Sequence, residues 1–287
     1  MFIYSKILKQ LNSSRVYHQV LGFIKTPDLL FSSSFSGFKP FILPSLNDEE
    51  IKGMINTLTL PTKLVMGKRM EHFFKEIITK SSKIDLIAHN IQLHRKKTTL
   101  GELDFLIKDL IQNKILHVEL MYKIYVYDPN LPSELARWIG PNRKDSLIEK
   151  LGRVIKHQLP LLFSPEAQEY LNTLQISTKE IDQQICFKAK LFIPKNLASH
   201  QYPNVNNNCI VGFYYDLAQF KAEISAAHKF YAPEKQDWPS DPRNNTNWVS
   251  FSEINIEIQK MHLHNKSPLI WICTPTGEFE SAIVVWW

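Results

Sequence analysis

Residues 101–106 read Gly-Glu-Leu-Asp-Phe-Leu, and residues 116–123 read Leu-His-Val-Glu-Leu-Met-Tyr-Lys. Both are apolar runs interrupted by carboxylates, although acidic residues are depleted from strands. Side chains on a strand alternate faces, so Glu102 and Asp104 are expected to share one face of the first run. On the second, His117, Glu119, Met121 and Lys123 share a face, while Leu116, Val118, Leu120, Tyr122 and Ile124 form the opposite, core face. Carboxylates are rarely buried unless paired or bound to a metal. Two of them on neighbouring strands can present oxygens to Mg²⁺ or Mn²⁺, both of which accept oxygen ligands. The same pattern also allows a solvent-facing strand pair with incidental ion pairs such as Glu119–Lys123.

The elements that would position these residues follow from periodicity. Residues 1–60 read as a helical, partly irregular N-terminal extension, broken by the serine-rich stretch 32–36 and by prolines 27, 40 and 44. A helical pattern opens at Pro61-Thr62 and runs to Lys80, with Met66, Met70, Phe73, Phe74, Ile77 and Ile78 at helical spacing. Glu71 lies on a stripe of this helix with Gly67, Phe74 and Ile78, which allows it to face the sheet. Strands are expected over 84–94, 100–108 and 115–127, the first two joined by the polar turn Arg95-Lys96-Lys97-Thr98. Prolines 129, 132 and 141 mark a loop. A helix over 145–158, capped by Asp145, follows with the apolar stripe Leu147, Leu151, Val154 and Ile155. A strand over 185–193 completes the order helix, three strands, helix, strand. Residues 196–287 read as a C-terminal α/β region with strands over 209–215, 269–274 and 282–286 and a helix over 251–261. Whether they form a separate domain or extend the same sheet is open at this level.

Composition narrows the function classes. The chain has 287 residues, 44% hydrophobic and 22% charged, a globular balance. Only 9 glycines occur, and neither GxGxxG nor GxxxxGK[ST] is present, which disfavours phosphate-cradling nucleotide loops. Cys186, Cys209 and Cys273 form no CxxC, so neither a disulfide framework nor a cysteine zinc site is indicated. His262 and His264 lack a third ligand and read as surface residues, and Trp286-Trp287 as packing material. No Ser/His/Asp set stands out. Lys6 and Lys9 interrupt the apolar residues of the first fifteen, and no run approaches a bilayer span, so a soluble, cytoplasmic protein is expected. Residues 1–160 hold 24 Lys and Arg against 15 Asp and Glu, a net +9, whereas the remainder is net −3. A basic half suggests a polyanionic partner.

Gly101–Leu106, followed by a hydrophobic strand with a Glu and a downstream Lys, resembles the PD-(D/E)XK nuclease superfamily. The expected element order is similar to that fold's core. Several blocks more narrowly resemble a bacterial family, domain-of-unknown-function family 1853. They are Gly67-Lys68-Arg69-Met70-Glu71, Leu86-Ile87-Ala88-His89-Asn90, residues 100–106, residues 119–125, and Trp138-Ile139-Gly140-Pro141-Asn142 with Asp145. Lys150, Leu151, Arg153, His157, Gln158 and Leu159 complete the set.

The resemblance implies an α/β fold: a central mixed sheet flanked by helices, restriction-endonuclease-like over residues 61–195, with additions at both ends. It implies a hydrolase, a Mg²⁺- or Mn²⁺-dependent nuclease cleaving phosphodiesters of nucleic acid, with DNA the expected substrate. Asp104 and Glu119 would ligate the metal with Glu71 as a third ligand, Glu102 supporting Asp104. Lys123 would orient water or stabilise developing charge. Gln158 would assist the site, and Lys150 and Arg153 would contact nucleic acid. The superfamily's lysine stands two residues after the second acid, where this chain has Met121; Lys123, Lys68, Lys150 and Arg153 are the candidate replacements. The alternative reading is a nuclease-fold module that binds nucleic acid or assembles without cleaving.

The basic half generates a first prediction. The purified protein should bind DNA or RNA at low ionic strength, with affinity falling steeply as salt rises, as measured by fluorescence anisotropy. Asp104→Asn should preserve or strengthen this binding by removing an anion from a phosphate site.

Overall fold

Period-two runs form strands, and the helical stripes form helices, giving an α/β structure with mixed sheet pairing flanked by helices. The computed structural model describes residues 2–30, 37, 39–61 and 64–287, with the backbone alone over 2–12. The expected serine-rich break at 32–36, and Thr62 at the expected helix opening, lie outside the described residues. The helices are α1 (Phe2–Lys25), α2 (Asp48–Thr57), α3 (Met66–Lys80), α4 (Glu134–Arg137), α5 (Leu147–Arg153), α6 (Pro165–Thr173), α7 (Leu217–Glu223) and α8 (Phe251–His262). The strands are β1 (Lys39–Pro40), β2 (Ile84–Arg95), β3 (Thr98–Asp109), β4 (Lys114–Tyr127), β5 (Trp138–Ile139), β6 (Ile181–Pro194), β7 (Ile210–Asp216), β8 (Lys229–Tyr231), β9 (Leu269–Cys273) and β10 (Phe279–Val285). No helix among the described residues is long and apolar enough to cross a membrane.

Packing divides the chain into two units, each discontinuous in sequence. One comprises Asp28–Tyr122 and Glu149–Lys188; the other comprises Met1–Pro27, Lys123–Ile148 and Ala189–Trp287.

In the first unit β2, β3 and β4 form an antiparallel meander, and β1 pairs in parallel with β6. Helix α3 buries Met70, Phe73, Phe74, Ile77 and Ile78, and Phe74 meets Phe105 of β3 at a ring separation of 4.4 Å. A second apolar cluster joins Ile91, Leu93, Leu103 and Leu106 to Leu162, Ala167, Leu171 and Ile181. Each of these side chains larger than alanine contributes roughly 1.5–3 kcal/mol on burial. Residues 116–122 of β4 are all buried. The expected division into a core face and a polar face therefore becomes two interior faces, one of which contains charged groups.

Two local departures shape this unit. Strict alternation fails around Asp104. Glu102 and Phe105 both reach α3, through Lys68 and Phe74, while Leu103 and Leu106 join the same apolar cluster. Residues three apart share a side of a strand only where the backbone irregularly turns. Across the ladder, between the pairs Ile91↔Leu103 and His89↔Phe105, stands Asn90 in a left-handed conformation with φ 51°. Asparagine tolerates that region better than other side chains. The second departure corrects the helix expected over 145–158. Asp145 does not cap it; its carboxylate accepts from Lys123 Nζ at 2.5 Å. The α-helix ends at Arg153 and widens into a π turn over Val154–Gln158, then tightens into a 3₁₀ turn over Leu159–Phe163. Pro160 has no N–H to return to the preceding turn, so a regular α-helix cannot continue there.

The second unit orders its strands β6, β7, β10, β9, β8, with β7 parallel to both neighbours and β9 antiparallel to β10 and β8. Tyr215, Phe220, Phe230, Ile254, Ile258, Ile270 and Val284 form its core. Helix α8 starts with a reciprocal Ser250–Glu253 cap. His262 hydrogen-bonds the Val284 carbonyl. The Arg143 guanidinium lies 3.7 Å from the ring centre of Trp287 and pairs with the buried Asp128, which gives the terminal tryptophan its packing role.

Gly140 seats Asp145 in this unit: its N–H donates to the Asp145 carbonyl, and a Cβ at Gly140 would lie 2.1 Å from Asp145 Oδ1. Gly140→Ala should therefore displace the carboxylate that holds Lys123 and destabilise the protein by about 1–3 kcal/mol, measured by urea unfolding.

Candidate functional site

The β3–β4 ladder runs from Asp109↔Lys114 to Phe105↔Val118 and stops at the step that would pair Asp104 with Glu119. Beyond that step, the Leu120 N–H donates to Asp104 Oδ2 at 2.9 Å, so a side chain replaces a ladder partner. Both carboxylates are interior, Asp104 being 9% and Glu119 1% exposed.

Glu119 is held on both oxygens. Oε1 lies 3.0 Å from His117 Nε2, and Oε2 accepts from Gln158 Nε2 at 2.6 Å. Gln183 Nε2 donates both to the Leu159 carbonyl at 2.7 Å and to His117 Nδ1 at 2.9 Å. With Nδ1 as the acceptor, the neutral imidazole carries its proton on Nε2 and donates it to Glu119, a tautomer assigned from the hydrogen-bond pattern. Gln158 in turn accepts from Lys150 Nζ at 3.0 Å. The π turn carries Gln158 at its end, and such turns recur at functional sites.

Asp104 is under greater electrostatic stress. Burial, then the charge of Glu119, then those of Glu71 and Glu102 push its carboxyl well above the usual range, against the single stabilising Leu120 N–H. Glu71, projecting from α3, is also raised, first by burial and then by Glu102 and Glu119, with Lys68 opposing. Lys68 Nζ bridges Glu71 at 2.8 Å and Glu102 at 3.0 Å. Burial pulls Lys68 down, but its two carboxylate partners outweigh this and raise it.

The structure thus gathers Asp104, Glu119, Glu71, Glu102 and Gln158 into one cluster with Lys150 at its margin. Arg153 is exposed on the last turn of α5. Lys123 is bonded to Asp145, and Met121 is buried at 3% exposure. His117, which bonds Glu119, and Gln183, which bonds His117, carried no site assignment from the sequence. His117 stands two residues before Glu119 on the same strand face, a signal of proximity; no local signal marks Gln183.

Among the described residues, no three His, Cys, Asp or Glu side chains stand in a metal-ligating arrangement. The chemistry of the donor set nonetheless fits a hard divalent cation. Its members are carboxylate oxygens, and among the described residues repulsion among them is compensated by Lys68 and by individual hydrogen bonds.

The sequence profile described as Domain of unknown function (DUF1853) matches residues 39–282. The chain belongs to the DUF1853 family. No curated protein and no solved structure matches it. The DUF1853 match spans every member of the acidic cluster and both residues that hold Glu119, His117 and Gln158.

Asp104 also yields a stability prediction for this DUF1853 protein. Its carboxyl is raised on folding, so as pH increases the unfolded chain releases this proton first. Asp104 therefore costs no stability below the ordinary carboxylate pKa of about 4, and its cost grows as pH rises from there through the raised folded value. Asp104→Asn should raise stability at pH 7 by on the order of 1–3 kcal/mol, with the advantage vanishing near pH 3. Denaturant unfolding in EDTA at the two pH values checks this.

Proposed function

We propose that this protein is a divalent-metal-dependent nuclease with a PD-(D/E)XK-like core, acting on DNA. The observation that carries the reading is the placement of Asp104 and Glu119, both interior, where two adjacent strands stop pairing, with Glu71 entering from α3. Buried carboxylates in repulsion are costly to stability, and such costs concentrate at functional sites.

In this reading Asp104, Glu119 and Glu71 hold Mg²⁺ or Mn²⁺. A bound divalent cation would polarise the scissile phosphate and lower the pKa of a water molecule. The remaining work belongs to the protein. His117 and Gln158 fix the plane of the Glu119 carboxylate, as partners behind a metal ligand commonly do. Gln183 sets the His117 tautomer, and the Leu120 N–H anchors Asp104 through Oδ2. Lys150, through Gln158, and the exposed Arg153 supply positive charge for the nucleic-acid backbone.

A second reading has its own observation. Lys123 is bonded to Asp145, and Met121 occupies the superfamily's usual lysine position, which favours a module that binds or assembles on nucleic acid without cleaving it.

The test is cleavage of single- and double-stranded DNA in Mg²⁺ and Mn²⁺. Asp104→Asn and Glu119→Gln should each lower the rate by about 100-fold or more, and His117→Ala by roughly 10–100-fold. Salt-sensitive DNA binding without cleavage by the wild type in either metal would favour the second reading.

A further inference from the structure

Lys68 occupies an unusual position. It extends from the first turn of α3, its side chain is 47% exposed, and its ammonium touches two carboxylates of the acidic cluster, Glu71 and Glu102. Those two side chains come from different elements, α3 and β3, and repel one another. A single ammonium between them is therefore the local counter-ion of the cluster. Glu119 is engaged by His117 and Gln158, and Asp104 by a backbone N–H. Among the described residues, Lys68 is thus the lysine or arginine that pairs with this cluster.

A monovalent cation and a divalent one cannot both neutralise Glu71 at short range without repelling each other. We propose that Lys68 is a built-in counter-ion which a divalent cation displaces from Glu71, after which its ammonium, retaining Glu102 as one partner, turns a released N–H to a phosphate of the substrate. The inference rests on the metal-site reading above and adds to it a regulated exchange of charge. The exchange has two consequences. Lys68 holds the carboxylates together when no divalent cation is bound, which lowers the cost of their mutual repulsion. It also weakens the apparent affinity for the cation, because the bond to Lys68 must first be broken. The long, half-exposed side chain can swing from Glu71 toward solvent without backbone movement. Lys123, the cation expected from the sequence, is already bonded to Asp145 and offers no comparable exchange.

The experiment measures cation binding and DNA binding separately on the full chain. Mn²⁺ binding is followed by the paramagnetic resonance of the free ion, and phosphate-backbone binding by fluorescence anisotropy with a DNA oligonucleotide, each for wild type, Lys68→Gln, Lys68→Arg and Glu119→Gln. Thermal unfolding confirms that every variant is folded. Lys68→Gln should bind Mn²⁺ at least about fivefold more tightly than wild type, yet gain less DNA affinity on adding Mn²⁺. Lys68→Arg should restore both values toward wild type. Equal or weaker Mn²⁺ binding by Lys68→Gln, or the absence of Mn²⁺ binding in both proteins, overturns the exchange. Mn²⁺ binding unaffected by Glu119→Gln instead overturns the metal-site reading, whichever way Lys68 behaves.

Discussion

Glu119 lies almost wholly inside the protein, and a carboxylate there must find hydrogen-bond donors for both oxygens or forfeit the solvation it had in water. The donors come from three directions: His117 on its own strand, Gln158 at the end of a π turn, and Gln183 acting through His117 from β6. Much of the first unit's irregular geometry serves this requirement. Helix α5 would not present Gln158 as it does if it continued α-helical past Arg153, and Gln183 must be tied to the Leu159 carbonyl to keep His117 in one tautomer. A fully apolar interior of the same shape would avoid these demands, so their presence argues for a purpose other than stability.

The neighbouring carboxylate is managed differently. Asp104 receives one backbone N–H and otherwise faces like charges from Glu119, Glu71 and Glu102. It sits where the alternation of β3 slips, opposite a left-handed Asn90, and where the β3–β4 ladder ends. An irregular strand and an interrupted ladder both cost backbone hydrogen bonding, and here they coincide with the buried carboxylates. Lys68 moderates the excess charge from the helix side.

Lys123 meets a carboxylate outside the acidic cluster. Sequence spacing places it on the Glu119 face of β4, but Gly140 lacks the side chain that would exclude the Asp145 carboxylate, and that carboxylate takes the ammonium. The block from Trp138 to Asp145 is thus a clasp: Gly140 bonds Asp145 through the backbone, Arg143 bonds Asp128 and lies against Trp287, and the Trp287 indole donates to the Pro141 carbonyl. The expected helix cap at Asp145 came from local pattern, whereas the catalytic role of Lys123 came from the family resemblance; the bond between these two side chains replaces the cap. This clasp draws on residues far apart in sequence.

Period and composition alone determined most elements of this protein. The strands around Glu102, Asp104 and Glu119 and the helix bearing Glu71 follow from apolar spacing, because binary pattern reports which side of an element is buried wherever one side meets solvent. The acidic residues themselves were conspicuous because strands seldom carry them. Tertiary structure decided the rest. β4 is buried on both faces, so alternation there could not separate core from polar surface. The turn of β3 at Asp104, the π turn that delivers Gln158, and the approach of Gln183 to His117 arise from packing between distant segments, which leaves no local signature. Which lysine meets the carboxylates was likewise a question of reach in three dimensions: Lys68, thirty-four residues before Glu102, touches it, while Lys123, on the strand itself, is held by Asp145.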